Sequence, residues 1–171
     1  RSDDRLGVVT FCTQFVGIYG AEMGDELWRV DRMHFRGCAR PVVMGDIVFA
    51  CSGENTMAIK MDGSRGDLTK SNVLWKNKKA NAFLPSPLVY QDHLYLPGDR
   101  NFVTCFDART GTQVWKERLG NEFHASPVGA AGRVYIATKE GSVKVGRSGA
   151  SVELFADDAL GGTGERRPAV A

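Results

Sequence analysis

The sequence predicts an all-β protein, a β-propeller of four-stranded antiparallel blades, with about four blades, three of them complete, in 171 residues. Two markers and one pattern predict it. Pro41, Pro87, Pro127 and Pro168 recur at intervals of 46, 40 and 41 residues, while Trp28, Trp75 and Trp115 recur at 47 and 40, with Phe155 a further 40 on. Between the markers lie short runs rich in Val, Ile, Leu, Phe and Tyr, bounded by turn residues. Markers that keep phase over several periods are the signature of a repeat array. A lone four-stranded sheet cannot bury both faces, and radial packing gives each sheet a neighbour and shortens the open edges. A solenoid or doubly wound fold would need helical stretches of about ten residues in every period. Only Ala156–Leu160 has room for a brief helical turn.

The elements follow in order. Blade 1 is partial, over 7–30, with strands at Val8–Cys12, Gln14–Tyr19 and Glu26–Val30 and no first strand. Blade 2 covers 39–78, from Pro41 through Ile47–Cys51 and Thr56–Lys60 to Val73–Lys76, with an insertion around Met61–Lys70. Blade 3, over 84–119, is the most regular: Pro87–Tyr90, His93–Pro97, Phe102–Phe106, the turn Asp107–Gly111, then Gln113–Arg118. Blade 4 covers 125–155 with Pro127–Gly129, Arg133–Ala137, Ser142–Val145 and Val152–Phe155. Residues 166–171 read as the first strand of a further or closing blade. Shifting blade 3 back by 87 residues sets Phe102 on Phe15 and Trp115 on Trp28 without a gap. The ring is then a part of a larger propeller, a half-ring completed by a second copy (a homodimer), or four blades closed by the C-terminal strand.

Glycine at 20 residues fits a fold of many tight turns, and the formal charge of +2 gives no electrostatic basis for nucleic-acid binding. The short basic run Lys76, Lys78 and Lys79 reads as a solvated turn. No run approaches 18 apolar residues, the length a transmembrane helix needs. The first residues, Arg1-Ser2-Asp3-Asp4, show no apolar leader, as either a processed protein or a fragment would. Cys12, Cys38, Cys51 and Cys105 form no CxxC pair and read as unpaired, so zinc-ligand spacing is missing.

No catalytic, cofactor-binding or metal-ligating constellation emerges; the elbow, phosphate-loop and zinc-helix motifs are all missing. The tryptophans read as rings filling the wedge between blades, and Asp107 and Gly111 as turn residues. Glu54 and Asn55 set two oxygen donors side by side, which either caps a turn or serves a hard cation. Three segments share one station just before the proline-containing strand: Met33–Arg36, Asn81–Leu84 and Asn121–His124. Their residues His34, Phe35, Phe83, Phe123 and His124 are the candidate partner-binding loops, gathered at one end of the propeller. The competing reading packs the phenylalanines between adjacent blades.

The segments FVTCFDARTGTQVWKERLG and GRVYIATKEGSVKV resemble the repeats of the PQQ-binding-like β-propeller family. Asp107, Ala108, Thr110, Gly111 and Trp115 match its Asp-Ala-x-Thr-Gly-x-x-x-Trp turn and strand, and Gly132, Val134 and Tyr135 its Gly-x-Val-Tyr strand. Blade 1 departs, with Gly20-Ala21-Glu22-Met23-Gly24 in that turn. The resemblance implies a propeller fold and either of two functions. One is a non-catalytic scaffold binding a protein partner, like outer-membrane assembly lipoproteins; the other is a fragment of a pyrroloquinoline-quinone-dependent dehydrogenase with calcium. The adjacent cysteines typical of those dehydrogenases are missing here, so the scaffold without cofactor is the expectation. The family also implies a periplasmic or extracellular location.

Overall fold

In the computed structural model the described residues are 6–12, 14–31, 39–51, 55–78, 84–98, 101–119, 122–149 and, as strand backbone, 154–159. Blade 1 contains β1 (Gly7–Phe11), β2 (Phe15–Gly20) and β3 (Glu26–Asp31). Blade 2 contains β4 (Val42–Met44), β5 (Ile47–Cys51), β6 (Thr56–Lys60) and β8 (Val73–Asn77), while β7 (Gly66–Asp67) lies in the insertion between its last two strands. Blade 3 contains β9 (Leu88–Tyr90), β10 (His93–Pro97), β11 (Phe102–Asp107) and β12 (Gln113–Arg118). Blade 4 contains β13 (Val128–Ala130), β14 (Arg133–Ala137), β15 (Ser142–Arg147) and β16 (Leu154–Ala159).

Within each blade successive strands pair antiparallel as a meander. Every blade carries a register shift between its last two meander strands, at Ile18/Tyr19, Ala58/Ile59, Cys105/Phe106 and Val145/Gly146. An extra residue there bends and twists the outer strand. Its recurrence at one station is the structural form of the sequence repeat.

The alternation along each strand sends one set of side chains forward and the other back, so apolar faces meet between blades. Three buried clusters result. Val16, Ile18, Trp28 and Val30 of blade 1 meet Val48, Ala50, Met57 and Ile59 of blade 2. Phe49 and Ala58 of blade 2 meet Leu94, Leu96 and Phe106 of blade 3. Tyr95, Val103 and Cys105 of blade 3 meet Val134 and Ile136 of blade 4.

Four details differ from the sequence expectation. The insertion reaches back to blade 1, where β7 pairs parallel with β3 through Trp28↔Gly66 and Arg29↔Asp67. Blade 1 therefore gains an outer strand from blade 2. Its β1 starts one residue earlier than expected, because Val9, not Val8, faces Ile18; the loop after β1 is one residue shorter than its blade 3 counterpart. Residues 156–159 continue β16 and form no helical turn, since their backbone pairs with β15. Finally, Trp28, Trp75 and Trp115 stand opposite Ile18, Ala58 and Cys105, whereas the equivalent Val145 faces Ala156. Phe155 thus falls at the register shift, and the aromatic station of blade 4 holds alanine. The expected strand at 166–171 lies outside the described residues.

Candidate functional site

The turn between the last two strands of a blade is where blades are fastened to one another. In blade 3, one carboxylate oxygen of Asp107 accepts the amides of Thr110 (2.7 Å) and Arg109 (3.1 Å) and the Thr110 hydroxyl (2.9 Å). These bonds hold the Asp107 carboxyl below its ordinary range, with the Thr110 amide the largest cause. The fixed turn presents the Ala108 carbonyl to the indole N–H of Trp75 from blade 2 at 3.1 Å. At the next junction the Trp115 indole donates to the Gly149 carbonyl at 3.1 Å. The Gly149 amide donates to the Tyr95 hydroxyl at 2.9 Å, and the Gly132 amide to the Tyr90 hydroxyl at 2.9 Å. Burial pushes the Tyr95 phenol up to about 12, so the ring stays neutral.

Blade 1 builds the same turn without the aspartate. Gly24 N–H donates to Gly20 O at 2.9 Å, Gly20 N–H to Asp25 O at 2.9 Å and Ala21 N–H to Leu6 O at 2.9 Å. The counterparts in blade 3 are Gly111 to Asp107, Asp107 to Thr112 and Ala108 to Asp92, each also at 2.9 Å.

At the end where the proline-containing strands begin, a serine ladder links the blades. The Arg40 amide donates to the Ser86 hydroxyl and the Ser86 amide to the Ser126 hydroxyl, both at 2.9 Å. All three residues directly precede a repeat proline. Sequence reasoning read Ser-Pro only as a strand start and missed this link; the serines at positions 86 and 126 were its available signal.

Of the candidate partner-binding residues, the described residues include Phe123 and His124. Phe123 is 5% exposed and packs with Tyr95, Val103, Cys105, Leu119, Val134 and Ile136, so its ring is a wedge between blades 3 and 4 and not a loop surface. His124 is exposed, with Nε2 3.6 Å from Glu122, whose carboxylate also pairs with Lys139 at 2.9 Å. That contact lowers the pKa of Glu122 and raises that of Lys139. His34, Phe35 and Phe83 lie outside the described residues. A cavity of about 460 Å³ opens between the turns of blades 3 and 4, lined by Gln91, Ala131, Gly132, Arg133, Arg147 and Ser148. The Ser148 hydroxyl bonds the Gln91 side chain across it.

Cys51 and Cys105 are free thiols buried in separate blades, and desolvation pushes each up to about 12; Cys12 is free and exposed. Asn55 is buried, and Glu54 lies outside the described residues. Among the described residues no three His, Cys, Asp or Glu side chains gather closely enough to hold a metal ion. Nor, among them, is any helix long and apolar enough to cross a membrane.

Comparison with known proteins bears on the fold. Residues 67–147 match the family model described as outer membrane protein assembly factor BamB. A search of curated proteins finds no match. Among solved structures, quinohemoprotein alcohol dehydrogenase from Comamonas testosteroni superposes with a TM-score of 0.70 at 11% identity, over 90% of this chain and 33% of that one. The chain thus spans a third of that enzyme's length. The computationally designed Ika4 protein gives 0.68 at 13% identity, over 86% of this chain and 89% of its own. The designed Ika8 protein gives 0.65 at 10%, over 90% of this chain and 48% of its own. With its phased markers, its meander blades and its tryptophan locks, this chain has the β-propeller blade fold, and residues 67–147 match the PQQ-like repeat family.

Proposed function

We propose that the chain is a non-catalytic scaffold that binds a protein partner. The observation that carries this reading is the match of residues 67–147 to an assembly-factor family, and among the described residues exposed apolar stations on the faces of blades 1 and 4 accord with it. Stations that are sealed between blades elsewhere are uncovered there. Val128 is 60% exposed, although its blade 3 counterpart Leu88 packs in the cluster between blades 3 and 4. Val8 is 56% exposed, although its counterpart Leu94 is fully buried. Apolar sheet surface of this kind is suited to covering by protein.

On this reading neither quinone nor calcium takes part. Its support is the placement of Cys51 and Cys105 on different blades, each a buried, protonated thiol packed as an apolar side chain. A periplasmic or extracellular location belongs to the same proposal and is tested by fractionating the source cells.

The test pairs two measurements. Purified chain is mixed with pyrroloquinoline quinone and calcium and assayed for a bound chromophore and alcohol-dependent dye reduction; neither is expected, and saturable quinone binding with turnover would overturn the reading. In parallel, crosslinking in source cells is compared for wild type, Val128→Lys and Val8→Lys. Loss of a discrete crosslinked species in either variant, with an unchanged unfolding midpoint, is the expected result.

A further inference from the structure

We propose that the outer edge of β12 in blade 3 takes an extended segment of a partner polypeptide as an added parallel strand, one bearing Asp or Glu at alternate positions. The proposal rests on the protein-binding reading above and names one surface within it.

The template for this contact lies in the same chain. On blade 1 the insertion strand β7 acts as a strap, running parallel along the outer edge of β3 with Gly66 beside Trp28 and Asp67 beside Arg29. The Leu68 amide donates to the Arg29 carbonyl at 2.8 Å, and the Asp31 amide donates to the Thr69 hydroxyl at 2.8 Å. Arg29 and Asp31 thus turn backbone groups away from β2 and toward the strap. Blade 3 repeats this register residue for residue. Arg29 stands opposite Gly17 and Asp31 opposite Phe15, as Lys116 stands opposite Thr104 and Arg118 opposite Phe102. The register shift also falls at the equivalent place, Ile18/Tyr19 and Cys105/Phe106. In an antiparallel pair alternate residues direct both backbone groups to one side, so the outward-facing residues of β12 are Lys116 and Arg118. Among the described strands none pairs with that edge.

The edge is open for a reason internal to the chain. Blades 2 and 4 both pack against the faces of blade 3, and neither pairs with β12. The strap on blade 1 comes from the twelve residues, 61–72, that join β6 to β8 in the following blade. Blade 4 joins β15 to β16 through six, 148–153, which are taken up in returning the chain against β15.

The charges identify the occupant. Arg29 has Glu26 at 4.0 Å and Asp31 at 3.5 Å, and the strap sets Asp67 beside it. After the Thr69 bonds, Arg29 helps to hold the Asp67 carboxyl below its ordinary range. The blade 3 stations of Glu26 and Asp31 are Gln113 and Arg118, so both carboxylates are gone and a second cation is added. Lys116 and Arg118 are exposed, and Lys116 Nζ lies 5.0 Å from the centroid of the Phe102 ring. Cations on an edge strand commonly discourage pairing. Arg29 shows that a cation at this station nevertheless accepts a strand with a carboxylate in register. A strand with Asp or Glu beside both Lys116 and Arg118 gains two ion pairs along with the ladder bonds. This sequence nowhere places two acidic residues at i and i+2, so a second copy of it offers no such strand.

The probe is a fluorescein-labelled peptide of residues Ser64–Asn72 carrying Thr69→Glu, the strap with a carboxylate added for Arg118. It is titrated with the whole chain and followed by anisotropy, and saturable binding is expected. Combining Lys116→Glu with Arg118→Glu in the protein should weaken binding about tenfold, the effect of losing two exposed ion pairs. A peptide carrying Asp67→Lys and Thr69→Lys should restore it. N-methylation of the peptide's Leu68 amide, a test that needs only the wild-type protein, should abolish binding because that amide makes the ladder bond. Lys76→Glu, on the edge of β8, should leave binding unchanged. No saturable binding up to millimolar protein, failure of the charge swap, indifference to N-methylation, or a larger loss from Lys76→Glu each overturns the proposal. So does self-association of the chain, or binding to vesicles containing phosphatidylglycerol, that the double reversal abolishes, since either assigns the two cations elsewhere. If the double variant keeps its unfolding midpoint and still forms the crosslinked species in cells, the edge fails while the protein-binding reading stands.

Discussion

Trp75 and Gly111 are made for one another: the indole occupies the space any side chain at 111 would need, and its N–H reaches the carbonyl three residues earlier, on Ala108. The pair joins blade 2 to blade 3 through one apolar contact and one hydrogen bond. Gly24 shares the conformation of Gly111 but has no such neighbour among the described residues, so the two glycines separate backbone strain from steric exclusion.

Gly111→Ala is accordingly expected to cost more than Gly24→Ala. Both place alanine at positive φ, a penalty of about 1–2 kcal/mol. At Gly111 the methyl must also displace the indole, adding about 1–3 kcal/mol, as overpacking of a filled site does. Urea midpoints of the two variants against wild type measure the difference. Equal costs would mean that the Trp75 contact yields freely.

The thiols give a second expectation. Cys51 and Cys105 are buried and held protonated, with pKa pushed up to about 12, while Cys12 is exposed. Alkylation proceeds through the thiolate and needs access. Iodoacetamide at pH 8 should modify Cys12 in the native protein and reach Cys51 and Cys105 only after denaturation, as read by peptide mass spectrometry. Native-state labelling of Cys105 at a rate like that of Cys12 would show that the junction of blades 3 and 4 opens readily.

Most of this architecture was legible in the sequence because a repeat reports itself at every copy. The proline and tryptophan markers set the blade period, and the Asp107–Gly111 turn carried its own chemistry. What escaped were relations between copies. That Phe155 stands 40 residues after Trp115 suggested a fourth aromatic station, but the longer turn before β16 moves the chain by one residue and sets Ala156 opposite Val145. A period-2 side-chain pattern does not survive such a shift. The insertion in blade 2 likewise showed as an interruption, and nothing local announced that Gly66 and Asp67 would pair with the neighbouring blade. Of the candidate site, Phe123 went to the core, as the competing packing reading held. That the Gly20–Asp25 turn keeps the backbone shape of the Asp107–Thr112 turn was hidden in the sequence, where it stood only as a poor match to the family turn.

Acid should loosen the blade 3 turn in a particular window. The folded-state pKa of Asp107 is depressed, chiefly by the Thr110 amide, so its stabilisation is complete above the ordinary carboxylate pKa and is lost as pH falls through the depressed folded value. Asp107→Ala should lower stability at pH 7 by about 1 kcal/mol, a modest figure for hydrogen bonds to a partly solvated carboxylate. The gap between variant and wild type should then narrow progressively below about pH 4, the ordinary range of aspartate. A gap that stays constant down to pH 2.5 would remove the carboxylate charge from the account.

The strap from blade 2 to blade 1 offers the sharpest test of how the blades cohere. Its residues do three separate things. Leu68, 4% exposed, enters the cluster between blades 1 and 2, and its amide donates to the Arg29 carbonyl at 2.8 Å. The Thr69 hydroxyl accepts the Asp31 amide at 2.8 Å, and Asp67 accepts the Thr69 amide at 2.9 Å, fixing the hydroxyl for that task. At the strap's return, Asn72 is buried and its side chain donates to the Lys60 carbonyl and to Asp62, each at 3.0 Å. The strap therefore covers the outer edge of β3 and supplies apolar volume that blade 1 does not provide itself. Leu68→Ala should cost about 2–4 kcal/mol, within the range for a buried leucine whose site cannot fully collapse. Thr69→Val keeps the shape but leaves the Asp31 amide without its acceptor, which should cost about 1–2 kcal/mol. Both variants should also speed amide exchange along β3, at Arg29 and Asp31 before residues of blade 3, since the loss is local to the first junction. Exchange that accelerates equally in blades 1 and 3 would show that the array unfolds as one unit and that the strap has no local role.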